Sequence, residues 1–166
     1  MIIRPETPAD HETVAELLTD AFGGPTEARL VDLLRATDHY VPDLALVAEI
    51  DGQVVGHIAF SRVKVEEETA LALAPMAVAP AHQRTGVGTA LARAALDRAA
   101  DRAEAAVIVL GHPEYYPRFG FVPASRFGIV PPWPDVPDDA FLVLPLPGFT
   151  DACRGVVVYP PAFAEV

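Results

Sequence analysis

The sequence predicts an α/β (α+β) protein built on a mixed, mostly antiparallel sheet of about seven strands. Short apolar runs, from Leu44 to Ile50, Gln53 to Val65, Leu71 to Val78 and Ala106 to Leu110, read as strands bounded by turn residues. Segments with apolar residues at helical spacing precede the first of these, and an alanine-rich helix separates the last two. Finally, Gly86 and Gly88 stand one residue apart where a loop turns into that helix, an arrangement typical of ligand-binding α/β proteins.

Ile2-Ile3-Arg4-Pro5 reads as a short first strand. Thr7-Pro8-Ala9-Asp10 supplies an N-cap, a proline at the first helical position and an acid three residues on. A helix follows through Val14, Leu17, Leu18 and Ala21, and Gly23-Gly24-Pro25 stops it. Thr26 to Arg35 restarts as a second helix with Leu30, Leu33 and Leu34 as its stripe. Leu44 to Ile50, the turn Asp51-Gly52, and Gln53 to Val65 read as an antiparallel hairpin. Glu66-Glu67-Glu68 is a solvated turn or, alternatively, the source of a general base.

Leu71 to Val78 is the central strand, and Pro75 within it cannot donate to a ladder. Pairing is therefore expected to break there, by a bulge or a diverging partner, unless the strand is simply an edge. In the helix from Gly86, residues Gly88, Leu91, Ala92, Ala95, Leu96, Ala99 and Ala103 share one side, opposite Thr89, Arg93, Asp97 and Glu104. The small residues let it pack closely on the sheet. Ala106 to Leu110 is an interior strand, ended by Gly111-His112-Pro113-Glu114-Tyr115-Tyr116-Pro117. After a proline-rich surface connection at Val130 to Pro137, Phe141 to Leu144 and Gly155 to Tyr159 close the sheet.

A chain of 166 residues accommodates one domain with a proper core and is too short for two ordinary ones, so a single domain spanning 1–166 is expected. Apolar residues make up 51% and charged ones 21%, as in soluble globular proteins. No apolar run approaches bilayer-spanning length, and the first residues lack the basic and apolar regions of a signal peptide. A cytoplasmic location is the expectation. Cys153 is the single cysteine and has no Cys/His cluster around it, so neither an internal disulfide nor a metal site is expected. The net charge of −11 argues against nucleic acid or an anionic membrane as partner and favours cationic substrates, unless it serves only solubility.

Gln83-Arg84-Thr85-Gly86-Val87-Gly88-Thr89 has the makings of a phosphate cradle: main-chain amides at a helix start, with the helix dipole adding positive charge. The third glycine of the dinucleotide fingerprint is missing, and no Gly-Lys-Ser/Thr triplet follows. What remains is Gln/Arg-x-x-Gly-x-Gly/Ala, preceded by Val78-Ala79-Pro80. This resembles the coenzyme A loop of the GNAT N-acetyltransferases. Tyr116-Pro117-Arg118-Phe119-Gly120-Phe121 independently resembles that family's Tyr-x-x-x-Gly-Phe signature. Ala74-Pro75-Met76-Ala77-Val78, His112-Pro113 and Tyr159-Pro160-Pro161-Ala162-Phe163 are similar to its YhbS-type branch.

The resemblance implies a GNAT-like fold with helices on both sheet faces and a splay between strands four and five that receives the pantetheine arm. It implies acetyl-coenzyme A as cosubstrate, its diphosphate at Gln83, Arg84, Thr85, Gly86, Val87, Gly88 and Thr89, and its thioester near Met76, Ala77 and Val78. An amide there polarises the carbonyl while a primary amine, of a small molecule or a protein, attacks directly. By motif position Tyr116 is the general acid, with Tyr115 able to exchange roles with it. The central strand offers no base, leaving His57, His82, His112, Glu114 or water. That gap keeps open a non-catalytic coenzyme A-binding regulatory or partner-binding module, and acyl chains longer than acetyl are a further alternative. Acceptor choice rests with Phe22 to Tyr40 and Trp133 to Asp139, which no motif describes. A homodimer through the late strands is implied by the resemblance alone.

Overall fold

The computed structural model describes residues 1–166. β1 (Ile2–Pro5) leads to α1 (His11–Phe22), α2 (Thr26–Arg35), β2 (Leu46–Ile50), β3 (Gln53–Val65) and β4 (Glu68–Val78). α3 (Val87–Ala99), β5 (Ala106–Leu110), β6 (Val122–Pro123), β7 (Ile129–Val130), β8 (Phe141–Pro145) and β9 (Gly155–Val158) complete it. The entry to α1 is pinned by Asp10, which accepts from the Thr7 N–H at 2.7 Å and from the Arg4 guanidinium at 2.8 and 2.9 Å. Gly23 ends α1 in the left-handed conformation (φ 72°), which glycine adopts without a Cβ clash.

The sheet has nine strands, ordered β1-β2-β3-β4-β5-β8-β6, with β9 pairing the far end of β3 and, in parallel, β7. Along the main path only β4 and β5 are parallel. The excess over the seven expected comes from β6 and β7, which at two residues each are too short for any periodicity to show. Helices cover both faces. Val47, Ala59 and Ala77 point to α1 and α2, and the alternating set Leu46, Ala48, Ile58 and Phe60 points to α3.

α3 sits close because Gly56 lies under it: a Cβ there would be 2.8 Å from Leu91 and 2.9 Å from Val87. Its buried side is Val87, Leu91, Ala92, Ala95, Leu96 and Ala99. The helix stops there, so Ala103 and Glu104 lie beyond it, and the Arg102 guanidinium donates to Glu104 at 2.9 Å in the turn that follows. In α2 the buried stripe is Leu30, Val31 and Leu34, with Leu33 only half-buried. Leu44 belongs to a 3-10 turn before β2. No helix is long and apolar enough to cross a membrane.

Candidate active site

The parallel pair β4–β5 stays together only at Leu71–Val107 and Ala72–Ile108. Beyond Ala72 the strands separate. On its other side β4 keeps pairing with β3, but Ala74 and Pro75 together oppose the single residue Ala59, a bulge at the proline. Both alternatives left open by Pro75, bulge and divergence, are therefore realised. The Ala79 N–H donates to Val55 O at 2.8 Å, which sets the alternation of the antiparallel ladder: Ala77 turns its polar groups to β3, and Met76 and Val78 turn theirs into the splay. Val78 O there accepts the Gln83 side-chain amide at 3.0 Å.

The mouth of the splay is the start of α3. Arg84 (φ 62°) and Gly86 (φ 93°) both take left-handed conformations, and the helix bond Ala90 N–H to Gly86 O closes the first turn. The N–H groups from Arg84 through Thr89 find no acceptor within the protein, on main chain or side chain. Aligned amides left without partners at a helix start form an anion site. A cleft of about 900 Å³ joins this mouth to the splay, and Met76, Val78, Gln83, Arg84, Gly86, Gly88 and Thr89 all line it. Ala77 does not, being buried against α1 and α2, and Val87 turns its side chain into the core beneath α3. Thr85 is exposed and spends its hydroxyl on His82 O.

Tyr116 of the second motif and Tyr115 just before it both line the cleft. Tyr115 is tied to the cradle through Thr89 Oγ1 at 3.1 Å, and the Arg118 guanidinium lies 4.3 Å from its ring centroid. Tyr116 is 8% exposed and packs edge-on against Tyr115 and Phe121. Burial, helped by Tyr115, pushes its phenol up to about 12, so at neutral pH it keeps its proton.

The four candidate bases part company. His112 lines the cleft; His82 and Glu114 do not. His57 is fully buried on the opposite sheet face, its Nε2 3.0 Å from Glu6 Oε1, close enough for charge pairing but off the line of an N–H donor. Arg35 also pairs with Glu6, and the Tyr40 hydroxyl donates to it at 2.8 Å. Burial alone would lift the Glu6 carboxyl, but His57, Arg35 and Tyr40 hold it down at about 2. This cluster makes His57 a structural residue. Sequence reasoning missed it because its members come from four separate segments. It also missed Glu27, which lines the cleft from the first turn of α2; its spacing from Leu30 and Val31 was the available signal. No group of three or more His, Cys, Asp or Glu side chains is arranged to hold a metal ion.

Residues 11–121 match the Acetyltransferase (GNAT) family. The uncharacterized N-acetyltransferase YhbS of Escherichia coli is 38% identical over 94% of this chain and 92% of its own. YjhQ of the same organism, also an uncharacterized N-acetyltransferase, is 40% identical over 79% of this chain and 75% of its own. The crystal structure of YhbS in complex with CoA superimposes with a TM-score of 0.89 at 36% identity, covering 98% of this chain and 91% of that one. A GNAT family acetyltransferase from Brucella melitensis in complex with acetyl-CoA gives 0.80 at 33% identity, covering 98% and 97%.

Proposed function

The chain belongs to the GNAT acetyltransferase family, an acyltransferase family, and from that premise we propose that it transfers the acetyl group of acetyl-coenzyme A to a primary amine by direct attack. The observation that carries this reading is the run of partnerless N–H groups from Arg84 through Thr89 at the mouth of a splayed sheet. A diphosphate is the group those amides fit. The Arg84 and Arg118 side chains in the same lining favour an anion there in a chain whose net charge is −11. The open edge of β4 from Leu73 to Val78 suits an extended arm that bonds to main chain as an added strand does.

Acetyl-coenzyme A supplies an activated thioester. On this reading the Met76 N–H, turned into the splay, polarises the acyl oxygen and stabilises the charge it gains. Tyr116 protonates the departing sulfur; its raised phenol is present in the protonated form at neutral pH, ready beside the sulfur as it leaves. The walls of the cleft orient the amine, which supplies most of what a direct attack needs. His112 or solvent takes up the proton released.

Titration calorimetry with acetyl-coenzyme A, followed by mass-spectrometric detection of acetylated amines, tests the proposal. Binding and transfer are expected. A purified, folded protein that shows no heat with acetyl-coenzyme A removes the reading altogether.

A further inference from the structure

The cleft lining carries charges of both signs. Arg84, Arg118 and His112 supply its basic groups, and Glu27 is the only carboxylate in its lining. Glu27 belongs to α2, three residues before the buried Leu30, so it lies on the core-facing side of that helix where the side meets the cleft. It makes no ion pair: Arg35, on the same helix, is taken by Glu6 and Asp32. From α1 and α2 the lining also receives Phe22 and Leu30, and Phe22 remains 47% exposed at the end of α1. An exposed phenyl ring, an aliphatic side chain and an unpaired carboxylate, all brought to the lining by the packed pair α1 and α2, match one chemical class, an alkyl chain ending in an ammonium group.

We infer that Glu27 is the residue that selects the acceptor, and that the acceptor is a cationic alkylamine carrying no carboxylate of its own. The inference rests on the acetyl-transfer reading above. Glu27 holds the ammonium end, Phe22 covers the alkyl chain, and an acidic acceptor is repelled. The reaction balances with the acceptor's other nitrogen, at the far end of the chain from the ammonium that Glu27 holds, losing one proton to water before attack. The N–C bond then forms, the C–S bond breaks, and the sulfur leaves as the thiol with the Tyr116 proton. The second nitrogen proton restores the phenol through solvent.

The test uses a matched pair of acceptors, 1,5-diaminopentane and 6-aminohexanoate, with acetyl-coenzyme A and the full chain. Wild type is expected to favour the diamine. Glu27→Gln is expected to raise KM for the diamine roughly ten- to a hundredfold, the loss of one charge-assisted contact, with kcat changed less than about threefold. Glu27→Lys is expected to reverse the preference. Acetyl-coenzyme A affinity, measured by calorimetry in all three proteins, should not move. If wild type binds the coenzyme but uses both acceptors equally or neither, or if Glu27→Gln keeps the wild-type KM, the assignment to Glu27 falls and the acetyl-transfer reading survives. Failure of wild type to bind the coenzyme overturns the transfer reading instead.

Discussion

The Tyr115 hydroxyl lies 3.1 Å from Thr89 Oγ1, whereas the Tyr116 hydroxyl, one residue on and in the same cleft, makes no hydrogen bond within the protein. Nor is it sealed off, since it is absent from the buried unpaired polar atoms. The first tyrosine therefore fastens the motif to α3, and the second keeps its proton available.

The two should respond differently to loss of the hydroxyl. Tyr116→Phe is expected to lower kcat by about a hundredfold or more with coenzyme affinity nearly unchanged, the pattern for a general acid. Tyr115→Phe should instead destabilise the fold by about 1 kcal/mol and lower kcat only modestly. Steady-state kinetics and urea melts on both variants check this; wild-type turnover by Tyr116→Phe removes its assigned role.

Two glycines separate binding from chemistry. A Cβ at Gly88 would touch Tyr115 Oη and Val78 Cγ2 at 3.5 Å, ordinary contacts, so Gly88→Ala should fold normally. Its methyl would occupy the mouth of the cradle, and coenzyme binding should weaken about tenfold, with Gly88→Val weaker still. A Cβ at Gly111 would come within 2.3 Å of Tyr116 Cε2, which forces the ring to move. Gly111→Ala should therefore lower kcat more than it weakens coenzyme binding. Calorimetry and kinetics on the same preparations separate the two effects.

The Glu6 cluster is predicted to hold α2 to the sheet. Removing its carboxylate leaves the half-buried Arg35 with only the exposed Asp32 as counter-charge and strips the Tyr40 hydroxyl of its acceptor, so Glu6→Ala should cost about 1–3 kcal/mol. Urea denaturation at neutral pH measures this. A change under about 1 kcal/mol would mean that the cluster is solvated in solution.

The same residue sets an acid limit. The Glu6 carboxyl is held at about 2 in the folded chain against an ordinary 4.5, so its stabilisation is complete above about 4.5 and drains away as pH falls toward 2. The Arg4 guanidinium also holds Asp10 well below the usual range, and its contribution fades in the same direction. Stability measured from pH 5 to pH 2 should fall, and Glu6→Gln should fall less steeply because it has no proton to gain. Parallel curves for the two proteins would contradict this.

Much of the fold could be read along the chain because the interactions that make it are local. The Thr7-Pro8-Ala9-Asp10 cap, the turn at Asp51-Gly52, the left-handed Gly23 and the alanine face of α3 each depend on neighbours a few residues away. Helix ends and the shortest strands were less legible. α3 stops at Ala99 although its apolar spacing continues to Ala103, and β6 and β7 exist only because β8 and β9 are beside them.

By itself the sequence determined the glycine-rich helix start, the position of Pro75 in the central strand and the two adjacent tyrosines. Backbone conformation, missing donors and helix dipoles follow from residue identity and short-range order. Tertiary structure alone decided that the expected parting of β4 and β5 begins as early as Ala72, that His57 sits beside Glu6, and that Glu27 is the carboxylate facing the cleft. Each of those facts depends on which residues meet across long stretches of chain, and charge pairing and burial have no period in the sequence by which they could be found.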